Sequence, residues 1–152
     1  DLVQVFKLAN NYLDARGIFI FDMNTEYKYK KILSDNTIAE NREDCSFIWE
    51  NYYNEDTMIN EYDVTVFVKI EAEDDDEHEM SETSQANPIF ERFQETHYQK
   101  AYSIDTVKKL LIESGMEYVA VYDAFTNQPP TDTSERVYFI AREKHQEQKK
   151  YI

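Results

Sequence analysis

At 152 residues the chain has the size of one domain, which buries roughly 70% of the surface its unfolded form exposes. Its 16 basic residues against 31 acidic ones leave a formal charge of −15, which repels phosphate backbones and argues against nucleic acid as a direct partner. Cys45 is the sole cysteine, so an internal disulfide framework and thiolate zinc patterns are excluded, a reducing, cytosolic setting is expected, and no apolar run reaches the roughly 18 residues of a membrane span.

Glycine occurs only twice, at Gly17 and Gly115, beside 12 tyrosines and 9 phenylalanines. Glycine-rich phosphate loops and a dinucleotide fingerprint are therefore ruled out. The chain opens on Asp1 and enters helical periodicity at once, as expected of a fragment of a longer protein.

Leu2, Phe6, Ala9 and Leu13 recur at spacings of four, three and four, predicting a helix over residues 2–15 that Gly17 stops. Next comes Gly-Ile-Phe-Ile-Phe-Asp-Met-Asn over residues 17–24, four apolar residues running into a carboxylate and an amide. Such a run reads as a strand buried on both faces, as in mostly parallel sheets. Ligands of open α/β sheets sit outside the carboxyl ends of strands, which singles out Asp22, Met23 and Asn24.

Residues 25–44 turn polar and read as a short helix followed by loop, in which Tyr27 and Tyr29 either anchor the loop at the surface or cover a pocket at the strand end. The period then changes to two. Phe47, Trp49, Asn51 and Tyr53 share a face of one strand, Asn54-Glu55-Asp56 forms a turn, and residues 58–70 make a second run with Tyr62, Val64, Val66, Val68 and Ile70 on one side. A third run over residues 89–101 puts Phe93, Glu95, His97 and Gln99 on a common side, so an antiparallel three-stranded meander is expected. Between the second and third runs lies an acidic stretch, residues 71–87, which is read as a solvated loop and not as a calcium or magnesium site, since no turning glycine accompanies its carboxylates.

Ser103 is a fitting N-cap for a helix carrying Ile104, Val107, Leu110 and Leu111, with Gly115 closing it in the left-handed conformation. Residues 118–125 and 136–141 read as two strands joined through the Asn-Gln-Pro-Pro turn at 127–130, and residues 145–152 form a polar tail.

This order of elements, with the segments 17–25, 95–102 (Glu-Thr-His-Tyr-Gln-Lys-Ala-Tyr) and 110–116 (Leu-Leu-Ile-Glu-Ser-Gly-Met), resembles the C-terminal half of class I S-adenosylmethionine-dependent methyltransferases. More narrowly it is similar to the bacterial small-molecule type, with a β-sheet insertion after strand 5. The resemblance implies an α/β fold: half of a Rossmann-like sheet in the order 5-7-6 over residues 1–44 and 102–144, with an inserted antiparallel three-stranded meander over 45–101. It also implies S-adenosylmethionine as cofactor of the full-length parent, with no tight binding to this chain, because the glycine-rich turn and the acid that hold it lie upstream.

On that resemblance the chain carries the substrate side, facing a small molecule. Asp22 and Asn24 border the substrate, while His97 with Glu95 takes a proton or orients the acceptor, or forms an ordinary structural pair. Trp49 and Tyr53 either wall a cationic or flat substrate or pack the meander, and Tyr102 is a further lining candidate. A reading from another class makes the chain a binding module that assembles as a homodimer, or a swapped dimer, through the exposed edge of strand 18–22.

Overall fold

A computed structural model describes residues 2–70 and 87–145. The acidic loop expected at 71–87, apart from Asn87, and the tail beyond His145 lie outside the described residues. Helix α1 (Leu2–Tyr12) leads into β1 (Ile18–Asn24), followed by a π-helical turn (Lys28–Leu33) and strands β2 (Thr37–Asn41), β3 (Cys45–Asn54), β4 (Ile59–Lys69) and β5 (Phe90–Lys100). Helix α2 (Ile104–Glu113) and strands β6 (Met116–Asp123) and β7 (Arg136–Glu143) complete the order.

The strands form two sheets. The first has the order β1-β7-β6, with β7 antiparallel to both neighbours, which is the order 5-7-6 that the resemblance assigns to these three strands. Both helices pack on one of its faces. Because side chains alternate along a strand, β7 sends Val137, Phe139 and Ala141 into that side, where they meet Phe6 of α1, Val107 and Leu111 of α2, and Met116. Phe21 of β1 stacks on Phe139 with ring centroids 5.2 Å apart and tilts against Phe6 at 5.1 Å, so both outer layers close on the central strand.

Strand β1 is not buried on both faces. Phe19, Phe21 and Met23 pack inward, but Ile18 and Ile20 on the opposite side are 48% and 62% exposed. The sequence pattern of a doubly covered strand is present, yet among the described residues nothing covers the second face, and β1 pairs with β7 alone.

The turn between α1 and β1 also differs from expectation. The helix ends at Tyr12, and the left-handed residue is Arg16 (φ 62°), not Gly17. Gly17 is required for a different reason: its N–H donates to Asp14 O at 2.8 Å, and a Cβ there would lie 2.9 Å from that same oxygen. Glu143, 1% exposed, secures this turn from β7 by accepting the Arg16 N–H at 3.0 Å. Helix α2 follows its signals: Ser103 Oγ accepts from the Thr106 N–H at 3.1 Å, and Gly115 adopts φ +89° after the last turn.

The second sheet has four strands in the order β2-β3-β4-β5, all antiparallel, where three were expected. Strand β2 pairs Ile38 with Trp49 and Glu40 with Phe47. Its five residues are all exposed, so it lacks the buried alternate positions that mark a strand in sequence. A smaller core of Tyr29, Leu33, Tyr53 and Ala101, flanked by Trp49, seats the π-helical turn on this sheet.

Truncating Phe139 to Ala removes the ring on which Phe21 stacks and is expected to cost about 3–5 kcal/mol, whereas Ser103→Ala should cost about 1 kcal/mol. Urea unfolding monitored by circular dichroism separates the two, and comparable losses would contradict the central place given to β7.

Candidate functional site

Where β1 ends, the two sheets meet in an open crevice of about 350 Å³, lined by Asp22, Met23, Asn24, Tyr29, Gln99, Lys100 and Arg136. Three segments build it. The end of β1 supplies Asp22 and Asn24, the start of the antiparallel β7 brings Arg136 opposite Asn24, and the end of β5 supplies Gln99 and Lys100. Tyr29 comes from the π-helical turn, which is tied back by the Lys28 N–H donating to Thr25 Oγ1 and by Thr25 Oγ1 donating to Ser134 O.

The electrostatics are local. Arg136 Nη1 stands 3.0 Å from Asp22 Oδ2, both side chains being a little under half exposed, which limits the pair to about 1 kcal/mol or less. Tyr29, 4% exposed, donates its hydroxyl to Gln99 Oε1 at 3.1 Å. Burial raises its pKa above the usual phenol value, with the Asn24 amide pulling the other way, so at neutral pH it is an uncharged donor. Asn24 Oδ1 is buried with no hydrogen-bond partner among the described residues.

The residues singled out from sequence separate into groups. Asp22 and Asn24 lie in the crevice. Tyr53 stands behind it, stacked on Tyr29 at 5.9 Å, and Trp49 packs beside that pair with its ring edge-on to Tyr62 at 5.6 Å. Tyr102 packs against the core of the first sheet, and the Lys100 ammonium lies 5.8 Å from its ring centroid.

Glu95 and His97 do pair, Oε2 to Nε2 at 3.1 Å, and the imidazole stacks on Tyr62 with centroids 4.9 Å apart. They are not among the crevice residues. His97 is two positions from Gln99 on the same face of β5, about 7 Å along the strand, and Glu95 borders a separate hollow with Val64, Val66 and Phe93.

Three lining residues, Gln99, Lys100 and Arg136, are not singled out by the sequence, and Tyr29 is there read as either a pocket cover or a surface anchor. Tyr29 carried a signal, an aromatic ring in a polar segment next to the strand end, and it is the buried pocket wall and not a surface anchor. Arg136 becomes visible only once β7 is known to run antiparallel beside β1. Among the described residues no cluster of three or more His, Cys, Asp or Glu is placed to hold a metal ion, and no helix is long and apolar enough to cross a membrane.

This α/β architecture with antiparallel sheets is shared with methyltransferases of known structure. An S-adenosylmethionine-dependent methyltransferase from Clostridium acetobutylicum superposes on 95% of this chain with a TM-score of 0.74 at 22% identity, and the match covers 51% of that protein. In sequence, the chain is 27% identical over 142 residues to YqeM of Bacillus subtilis (strain 168), and 31% identical over 142 residues to a Geobacillus sp. (strain WCH70) protein, both provisionally named methyltransferases. The chain spans about half the length of these curated relatives, 51% of each. No protein-family model matches it. In fold, then, the chain matches about half of an S-adenosylmethionine-dependent methyltransferase of known structure, and in sequence it is similar to about half of two proteins named as methyltransferases.

Tyr53 provides a pH signature for the wall behind the crevice. Burial, with Glu26 and Glu55 nearby, pushes its phenol above the usual tyrosine range, up to about 12. Between pH 10 and 12 the unfolded chain ionises this phenol while the folded chain does not, so the stabilisation present below pH 10 is lost as pH rises through that window. Urea midpoints measured from pH 9 to 12 should fall less steeply for Tyr53→Phe than for the parent, and parallel curves would refute the assignment.

Proposed function

We propose that the chain is the carboxy-terminal, substrate-facing half of a methyltransferase that acts on a small molecule. The observation that carries this reading is the crevice at the end of β1, because it lies where open α/β sheets bind ligands and is closed on one side by a second sheet. The uncovered Ile18 and Ile20 face, and the free β1 edge, are in this reading the surfaces against which the other half of the sheet packs. The relatives' names and the half-length match support it.

The residues present do not fit S-adenosylmethionine by themselves. Close backbone approach to such a ligand calls for glycine, but Gly17 is committed to the tight turn against Asp14 and Gly115 to the end of α2. The cofactor, which supplies the transferable methyl group, is therefore assigned to residues outside this chain.

What this half contributes is position. Methyl transfer to an amine or hydroxyl is an in-line displacement, and most of the help a protein gives is to hold the nucleophile on the line of attack. Asp22 and Asn24 border the acceptor, with Tyr29 as a neutral hydrogen-bonding wall. The Glu95 and His97 pair is available to a larger acceptor reaching along β5, with His97 placed to receive a proton if the nucleophile carries one, while Trp49, Tyr53 and Tyr102 back the wall from the two cores.

Calorimetric titration of S-adenosylmethionine into this chain and into the natural polypeptide that contains it tests the division of labour. Binding is expected for the longer polypeptide only. Equal affinity in both would place the cofactor site within this chain and overturn the reading.

A second reading is favoured by the same β1 edge: the chain assembles with a second copy, edge to edge through residues 18–21. Sedimentation of the chain at micromolar concentration is expected to give a dimer in that case. A monomer with slowly exchanging Phe19 and Phe21 amides would count against it.

A further inference from the structure

We infer that the crevice recognises its ligand through an anionic group, a carboxylate or a phosphate, held chiefly by Arg136 with Lys100 in support. This deepens, and rests on, the reading of the crevice as a substrate site.

The first observation is charge. In a chain with 31 acidic and 16 basic residues, the crevice reverses the balance: its ionisable walls other than Tyr29 are Arg136 and Lys100 against Asp22 alone. The second is that this one carboxylate is already engaged. Asp22 Oδ2 faces Arg136 Nη1 at 3.0 Å, which offsets one positive charge and leaves that of Lys100. A guanidinium has five N–H donors in a planar fork, so a single contact at Nη1 leaves most of it free for a second acceptor, and carboxylate and phosphate are the groups that fit the fork two bonds at a time. Asp22 is on this account a positioning residue: it fixes Arg136 at the boundary between this crevice and an adjoining one of about 540 Å³, which Arg136 also lines.

The third observation is the donor and acceptor inventory of the wall. Gln99 Oε1 already accepts the Tyr29 hydroxyl, so Gln99 offers its amide hydrogens, the Asn24 amide is partly engaged with Tyr29, and Lys100 can only donate. Asn24 Oδ1 is the acceptor without a partner, and it is buried in the wall. A lining with surplus donors asks for a ligand with acceptor oxygens. The adjoining crevice does not share this character, since Lys28 and Arg136 there meet Asp123 and Glu135.

The test needs neither cofactor nor turnover. Inorganic phosphate, acetate and methylammonium are titrated separately, at low ionic strength, into the natural polypeptide containing this chain, and backbone amide shifts are followed by NMR. Phosphate or acetate should shift Met23, Asn24 and Gln99, and the stronger of the two names the anionic group. Arg136→Gln should weaken the response about tenfold or more, Lys100→Gln by less, and Arg136→Lys should restore part of it.

Anion binding unchanged in Arg136→Gln, shifts centred elsewhere, no anion binding, or stronger binding of methylammonium would each overturn the inference. An anion site in a polypeptide that transfers no methyl group would uphold the inference and sink only the methyltransferase reading.

Discussion

Strand β7 is the constraint on which the rest depends. It alone pairs with β1 and with β6, so without it those two strands have no partner among the described residues. Its alternate residues Val137, Phe139 and Ala141 are also the layer on which both helices rest, and Glu143 continues the same face to hold the turn that starts β1. One strand thus sets the register of β1 and the height at which its polar end emerges. The pairing that places Phe21 against Phe139 leaves Arg136 at the mouth beside Asp22 and Asn24.

The second sheet gives that mouth its depth. The π-helical turn is wider than an α-helical one, and its Tyr29 and Leu33 both reach the small core with Tyr53 and Ala101. Tyr29 has two duties in consequence. Its ring is stacked on Tyr53 and its hydroxyl is bonded to Gln99, so it belongs at once to the core of one sheet and to the wall of the crevice between both. The site is a seam between two cores, and its polar residues come from segments as far apart in sequence as Asp22 and Arg136.

Much of this was legible in the sequence where one local rule decided the outcome. The Ser103 cap, the apolar stripe of α2 and Gly115 agree with one another, and the structure follows them. Asp22 and Asn24 could be named because the end of an apolar run is where a strand exposes its polar terminus. The failures are of another kind. Strand β2 is held by its ladder to β3 and carries no buried face, so period two left no trace in Thr37–Asn41. The stop after α1 was assigned to the glycine, but the strained residue is Arg16, whose N–H is held by a carboxylate 127 positions away. Arg136 and Lys100 belong to the crevice only through sheet order, which no window of neighbouring residues contains.

The one-sided packing of the first sheet has a thermal consequence. The heat-capacity increment of unfolding grows with the apolar area that water first reaches in the unfolded chain, and it sets the curvature of stability against temperature. Ile18 and Ile20 are already substantially hydrated in the folded chain, so they contribute less to that increment than their hydrophobicity implies. The isolated chain therefore has a flatter stability curve than a sheet covered on both faces, and whatever comes to lie over those two side chains also makes the fold more sensitive to cold.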